Sequence, residues 1–89
     1  MPRISSFYGI VIRMFYDEAR HEGRPHFHAA YGGDEAVFDI ESLELIAGEL
    51  SRRAKKLVLE WARAHQGELR ENWDLARDHK PPKPIDPLS

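Results

Sequence analysis

Gly32 and Gly33 separate two short segments of alternating polarity, and this feature limits the fold more narrowly than any other part of the sequence. Residues 26–31 and 34–39 each alternate apolar side chains with polar or small ones, which is typical of β-strands. Two adjacent glycines suit a two-residue primed turn, because such a turn requires positive φ. The two segments are therefore predicted to form a β-hairpin.

The turn also determines which residues of the hairpin face each other. It pairs Phe27 with Phe38, an aromatic pair expected in the core, and it pairs His26 with Asp39. His28 shares the face of His26, because side chains two residues apart on a strand project to the same side. The sequence thus predicts two histidines and an aspartate on the face opposite the aromatic pair.

The first part of the chain is predicted to add two further strands. Residues 7–16 alternate with both faces largely apolar, which favours a central position in the sheet. If this strand pairs antiparallel with the hairpin across the polar loop 17–24, Arg13 lies on the histidine face near His28. A short fourth strand is predicted at residues 43–46.

The second half of the chain changes to helical periodicity. Ser51 is a suitable N-cap, and apolar positions recur at helical spacing from residue 54 to residue 65. Gly67 is expected to end this helix, and residues 68–78 are predicted to form a second one. Prolines then stop the helical pattern.

These elements predict an α+β fold of one domain over residues 1–80, followed by a Pro-rich tail over residues 81–89. The sheet is expected to have three or four mainly antiparallel strands, with the two C-terminal helices packed on one face. Ile85 and Leu88 give the tail two apolar side chains that can dock in a groove.

Composition excludes several classes of function. The chain contains no cysteine, which rules out a disulfide framework, thiolate zinc sites and cysteine catalysis. No run reaches the ~18–20 apolar residues of a membrane span, and the first residues lack the apolar core of a signal peptide, so we expect a cytoplasmic protein without a membrane partner. The net charge of −2 combines −5 over residues 1–50 with +3 over residues 51–89. An anionic partner is therefore expected to meet either the helix that begins at Ser51 or the local positive field of Arg13.

Cations follow one side of the first predicted helix, opposite its apolar stripe, and can follow the phosphate backbone of a nucleic acid. The alternative is a solvated helix face, partly neutralised by Glu60 four residues after Lys56. The predicted nucleic-acid-binding residues are Arg52, Lys56 and Arg63, with Arg53 and Lys55 beside them.

The His26-Phe27-His28 segment is an HxH motif whose two imidazoles are expected roughly 6–7 Å apart on one face of the strand. Two neutral imidazoles at that spacing can share a metal ion. Asp39 would then supply an oxygen ligand and His21 a further nitrogen. The alternative is that both histidines are surface or hydrogen-bonding residues.

The same face also permits acid–base chemistry without a metal or any other cofactor. Asp39 opposite His26 would fix the tautomer of that imidazole. With His28 and Arg13 the set suits RNA cleavage, in which one imidazole deprotonates a 2′-hydroxyl, the other protonates the leaving oxygen, and the guanidinium stabilises the developing charge. The alternative is that Arg13 simply pairs with an acid.

Short segments along nearly the whole chain carry a resemblance to a known family. They are Met1-Pro2-Arg3-Ile4-Ser5 with Phe7-Tyr8-Gly9-Ile10, Pro25-His26-Phe27-His28-Ala29 with Tyr31-Gly32, Leu57-Val58 with Glu60-Trp61 and Asn72-Trp73, and Ile85-Asp86-Pro87-Leu88. On these motifs the chain resembles the prokaryotic family catalogued as domain of unknown function 4160. The resemblance implies a small cytoplasmic α+β domain, often encoded beside another short protein in an arrangement similar to toxin–antitoxin pairs, and it implies no catalytic residues. The longer polar loop ahead of Pro25 is a departure from the family pattern.

The leading hypothesis is therefore a component of a toxin–antitoxin-like two-gene module. It would act through a protein partner encoded by a neighbouring gene and on RNA, with a metal-independent ribonuclease as the enzymatic version. One alternative is a non-catalytic interaction module, a homodimer or heterodimer in which the mixed sheet face around Val11, Phe15 and Val37 and the Pro-rich tail form the contact. Another is a small metal-binding domain that uses His26 and His28.

Overall fold

The computed structural model describes residues 3–14 and 24–89, which form an antiparallel sheet followed by two helices. The strands are β1 (Arg3–Phe7), β2 (Ile10–Arg13), β3 (His26–Tyr31), β4 (Asp34–Asp39) and β5 (Leu45–Gly48), and the helices are α1 (Arg52–Ala64) and α2 (Gln66–Arg77). Each strand pairs with the next in the chain, so β1 and β5 are the two edges of the sheet. The α+β class and the antiparallel pairing are confirmed, but the sheet has five strands rather than three or four.

The additional strand arises from a turn at Tyr8 and Gly9. Both residues have positive φ, 50° and 81°, as a two-residue type I′ hairpin requires. The single strand predicted over residues 7–16 is therefore wrong, because the chain reverses after Phe7 and starts β2 at Ile10. Tyrosine rarely adopts positive φ, so the alternation of the sequence concealed this turn.

The hairpin of β3 and β4 is confirmed in its full register, including His26 opposite Asp39. Gly32, the first of the two glycines in its turn, has a φ of 61°, which corresponds to a type II′ turn. Phe27 and Phe38 are fully buried, and their rings stack with centroids 5.5 Å apart. The turn glycines thus set the register from which the site geometry follows.

The fourth predicted strand is displaced along the chain, from residues 43–46 to Leu45–Gly48. The cause is the turn that follows β4, which Asp39 closes with its side chain. Its Oδ1 accepts hydrogen bonds from the backbone N–H groups of Glu41 (2.7 Å) and Ser42 (2.9 Å). This turn uses the residues that would otherwise have begun the strand.

Gly48 allows β5 to lie against β4. Its φ is +77°, and a Cβ at this position would overlap the backbone carbonyl oxygen of Glu35. Positive φ and close backbone approach both require glycine here. The last strand of the sheet therefore depends on this one residue.

The two helices are separated at His65, not at Gly67. Ser51 caps α1 as predicted, because its Oγ accepts a backbone N–H at 3.1 Å. The prediction that Gly67 ends the first helix is wrong, since Gly67 lies within the first turn of α2. His65 Nδ1 donates to Glu68 at 2.6 Å and so supports the start of α2. Among the described residues, neither helix is long and apolar enough to cross a membrane.

The core lies between the helices and the sheet face that carries Phe27. The indole of Trp61 is central to it, with ring centroids 5.4 Å from Phe7 and 5.9 Å from Phe27. Both helices bury the apolar stripes that the sequence predicts. The buried helical residues are Ala54, Val58, Trp61, Ala62, Leu69, Asn72, Trp73 and Ala76.

The Pro-rich tail packs on its own domain. Ile85 is buried, and its backbone N–H donates to the carbonyl of Ile4 in β1 at 2.8 Å. The Asn72 side chain donates to the Lys83 carbonyl and accepts the Lys83 N–H, both at 2.8 Å. Leu88 packs partly buried against the core. Both apolar side chains of the tail thus pack on the domain, and the hydrogen bond to Ile4 attaches the tail to an edge strand.

Candidate functional site

His26 and His28 lie on one face of β3, with ring centroids 5.4 Å apart. His26 is only 1% exposed, and its ring packs against Trp73 of α2 with centroids 5.0 Å apart. Its Nδ1 donates to the carbonyl oxygen of Arg24 at 2.7 Å. A carbonyl oxygen can only accept, so the proton is on Nδ1. His26 is thus held by a hydrogen bond and by packing, and burial disfavours its contact with a polymeric substrate.

Asp39 is the register partner of His26, but its carboxylate is bound elsewhere. Oδ2 accepts from Nε (3.0 Å) and Nη2 (2.7 Å) of Arg24, while Oδ1 closes the turn with Glu41 and Ser42. Burial raises the pKa of Asp39, yet the N–H of Ser42, the Arg24 side chain and the N–H of Glu41 outweigh it and hold that pKa below its usual value. The carboxylate is therefore ionised and already bonded through both oxygens.

Arg24, His26 and Asp39 together form what we call the β3–β4 corner, where β3 begins and β4 ends. The corner connects the backbone before β3, the turn after β4 and, through Trp73, helix α2. The Ile40 N–H also donates to the Pro25 carbonyl at 2.9 Å, which extends the hairpin ladder into it. His26 and Asp39 are therefore buried polar residues whose hydrogen bonds and packing stabilise the fold at this end of the hairpin. RNA cleavage by His26 and Asp39 stays a prediction that the geometry of the corner does not favour.

Arg13 lies directly opposite His28 across β2 and β3, and Arg3 lies directly opposite Arg13 across β1 and β2. Register partners in an antiparallel sheet share a face, so the three side chains form a row across three strands, which we call the Arg3–Arg13–His28 row. The His28 side chain is 12% exposed, and its Nδ1 is 3.9 Å from a carboxylate oxygen of Glu35. Arg13 forms no ion pair with any residue that the structure describes. The sequence predicts Arg13 near His28. It does not predict the position of Arg3 beside Arg13, because the hairpin at Tyr8 was not predicted.

The described residues contain no group of three or more His, Cys, Asp or Glu side chains placed to hold a metal ion. Asp39, expected to complete a set with His26 and His28, is bound to Arg24 instead. His21, the other expected ligand, lies outside the described residues. Metal binding by the two histidines stays a prediction without a third ligand in the described ranges.

Helix α1 exposes the five cations that the sequence places opposite its buried stripe. None of them forms an ion pair with a described residue, and this includes Lys56, for which Glu60 was the expected partner. A shallow depression of about 270 Å³ lies along this surface. Its lining consists of Arg52, Lys55, Lys56, Leu59 and Arg63. We call the five cationic side chains on this surface, Arg52, Arg53, Lys55, Lys56 and Arg63, the α1 basic face.

Residues 9–74 match the family described as Domain of unknown function (DUF4160). The chain belongs to this family. The DUF4160 match includes the β3–β4 corner, Arg13 and His28 of the Arg3–Arg13–His28 row, and the whole α1 basic face. Searches of the curated proteins and of the solved structures found no significant match to the chain.

Proposed function

We propose that this DUF4160 protein is an RNA-binding component of a toxin–antitoxin-like two-gene module and that the α1 basic face holds the phosphate backbone. The observation that carries the proposal is the set of five exposed cations of α1, none of them paired with an acid among the described residues. On an ordinary solvated helix, acidic side chains at neighbouring positions would partly neutralise them. Here the positive charge is left to an external anion.

The position of these charges along α1 supports the same conclusion. Arg52, Arg53, Lys55 and Lys56 occupy the N-terminal end of the helix, and the first turn contains no acidic residue. The helix dipole is positive at this end and favours acidic side chains there, by about 0.3–1 kcal/mol each. Four cations at this end interact unfavourably with the dipole and reduce the stability of the helix. Such locally destabilising residues occur at functional sites. A bound phosphate would be stabilised both by the cations and by the dipole.

The shape of the surface favours a polymer. Arg52 and Arg63 are separated by three helical turns, about 16 Å along the axis, and the opposite side of α1 is packed on the sheet. The face is therefore rigid, extended and open to solvent. A shallow surface of this kind encloses too little of a small molecule to bind it tightly, whereas a nucleic-acid strand can follow it.

Fluorescence anisotropy with a labelled 20-nucleotide RNA of mixed sequence tests the proposal. We expect saturable binding that weakens with salt, with a slope of log K against log salt of about −2 if three phosphates are neutralised on a single strand. The variant Arg52→Glu/Lys56→Glu/Arg63→Glu should bind at least about tenfold more weakly. DNA of the same sequence is the comparison that separates RNA preference from contact with phosphodiesters in general.

The matched control is Arg77→Glu/Lys80→Glu/Lys83→Glu, which makes the same charge change at exposed positions on another part of the surface. Equal loss of binding in both triple variants would contradict a site on α1, as would the absence of saturable binding by the wild-type protein at low salt. Equal affinity for poly-glutamate of the same charge would contradict a nucleic-acid site and favour an acidic protein partner. Circular dichroism verifies that every variant is folded.

A second candidate function, protein binding, is favoured by the outer edge of β5. Among the described residues no strand pairs with that edge, and Leu45 is 39% exposed there. Symmetric pairing of two copies about Ile46 and Ala47 would set Glu44 of one against Glu49 of the other, and facing like charges are destabilising. The edge therefore fits a partner with cationic residues at these flanks better than a second copy of this chain.

Co-expression with the neighbouring gene product and affinity capture tests this second function. We expect Leu45→Lys to reduce capture, because it adds a charge to the apolar centre of the edge, while Tyr8→Lys at the other exposed large apolar side chain leaves capture unchanged. Equal capture by wild type and Leu45→Lys would contradict binding at β5. A dimer of the protein alone in size-exclusion chromatography would identify a second copy as the occupant instead.

A further inference from the structure

Two arginines face each other across β1 and β2. Arg3 and Arg13 are direct register partners, so their Cβ atoms lie about 5 Å apart on the same face of the sheet. Directly opposed like charges destabilise a sheet. Neither guanidinium forms an ion pair with a described residue.

The pair sits where the sheet departs from regular geometry. The register of β1 against β2 shifts between Arg3 and Ser5, and β-bulges of this kind are over-represented beside functional sites because they redirect a side chain. On its other side Arg13 faces His28, which contributes a further nitrogen-bearing side chain to the row. Three strands thus direct nitrogen-bearing side chains to one region of the sheet face opposite Phe27.

We propose that Arg3 and Arg13 bind a phosphate group, with His28 at the edge of the site. A doubly charged phosphate between two guanidinium groups converts their repulsion into two charge-assisted interactions and matches the fork geometry of arginine. The site does not depend on the function proposed for α1, because α1 packs on the opposite face of the sheet, against Phe27. Inorganic phosphate, a nucleotide and the phosphorylated end of an RNA share this chemistry.

Thermal unfolding in phosphate and in chloride at equal ionic strength tests the proposal. We expect phosphate to raise the midpoint of the wild-type protein. Arg13→Gln should raise the midpoint in chloride by about 1–5 °C, because it removes the repulsion, and should abolish the increment in phosphate. Arg53→Gln in α1 makes the same charge change elsewhere and should leave the phosphate increment intact. An amide NMR titration should place the shifts caused by phosphate in β1 and β2.

A lower midpoint for Arg13→Gln in chloride, or an unchanged phosphate increment in that variant, would overturn the proposal. Adenosine 5′-monophosphate and adenosine form the next comparison, and equal shifts by both would overturn recognition of the phosphate. Oligonucleotides with and without a 5′-phosphate then identify the source of the group. The triple variant of α1 should retain the increase in midpoint caused by phosphate. Loss of RNA binding at α1 and loss of phosphate binding at Arg3 and Arg13 can therefore be told apart.

Discussion

Arg24 and Asp39 form an ion pair that spans the start of β3 and the end of β4, with Nη2 and Oδ2 2.7 Å apart. The carboxylate side of the pair is nearly buried, with 9% of its side chain exposed, whereas the Arg24 side chain is 46% exposed. The same carboxylate closes the turn after β4 through its other oxygen. One aspartate therefore fixes two segments of backbone, which makes its ionisation part of the stability of the fold.

We predict that Asp39 contributes to stability at neutral pH and loses that contribution in acid. Its pKa is lower in the folded protein than in the unfolded chain, so the folded state favours the ionised form. Such a contribution is complete above the unfolded pKa of about 4 and is lost as the pH falls through the lower folded pKa. Urea unfolding of wild type and Asp39→Asn at pH 7 and pH 3 should show a large difference at pH 7 that shrinks at pH 3.

Glu41→Gln is the control for this pH prediction. Glu41 also has a lowered pKa, because of its hydrogen bond to Arg70, but both side chains of that pair are about half exposed. An exposed ion pair is typically worth less than about 1 kcal/mol. A pH-independent difference between wild type and Asp39→Asn would contradict the prediction.

The contact between His26 and Trp73 is predicted to couple β3 to α2 energetically. A double-mutant cycle of His26→Ala and Trp73→Leu should give a coupling energy of about 0.5–1.5 kcal/mol, since the rings touch with centroids 5.0 Å apart. The free energies of unfolding come from urea titration. His26→Ala with Tyr8→Ala is the control cycle, because the Tyr8 turn adjoins the opposite end of β3, and its effects should add. Additive effects in the first cycle would mean that the ring contact carries no stability.

Three glycine substitutions should differ in the order that backbone geometry dictates. Gly48→Ala is expected to destabilise by more than about 2 kcal/mol, because it combines positive φ with overlap on the Glu35 carbonyl. Gly32→Ala meets nothing within 4 Å but has a φ of +61°, so a cost of about 1 kcal/mol is expected. Gly33→Ala has neither problem and should be nearly neutral. Chemical denaturation gives the loss of stability in each of the three variants. Equal losses would contradict the conclusion that β5 requires glycine at position 48.

The sequence was sufficient for the part of the fold that depends on local chemistry. Two adjacent glycines specify the β3–β4 register, and the spacing of apolar residues specifies which side of each helix is buried. The turn at Tyr8 could not be predicted, because positive φ at tyrosine reflects the surrounding sheet rather than a preference of the residue. With that turn missed, Arg3 had no predictable partner, and the pairing of Arg3 with Arg13 was hidden as well.

The candidate site shows a different limit of sequence reasoning. Register correctly set His26 opposite Asp39, but register does not determine where a side chain directs its hydrogen bonds. The charge-assisted bonds from Arg24 bind the carboxylate more strongly than a neutral imidazole would, and the turn uses its other oxygen. Arg24 follows the polar loop and gives no periodic signal, so only the folded geometry identifies it as the partner of Asp39.

The docked tail is predicted to stabilise the domain and to protect the β1 edge. Removal of residues 84–89 exposes the groove of Ile85, leaves the Ile4 carbonyl without the Ile85 N–H, and removes the Asp86 carbonyl that accepts the Trp61 indole N–H at 2.8 Å. We expect a loss of about 2–4 kcal/mol in the free energy of unfolding, from lost burial and from an unpaired buried donor. Ile85→Ala should cost less, since it keeps the backbone hydrogen bonds, and Asp86→Ala should cost little, because only its exposed side chain changes.

The truncated protein should also self-associate with rising concentration in analytical ultracentrifugation, because β1 then has an uncovered edge. A truncated chain as stable and as monomeric as the full chain would show that the tail contributes neither stability nor edge protection.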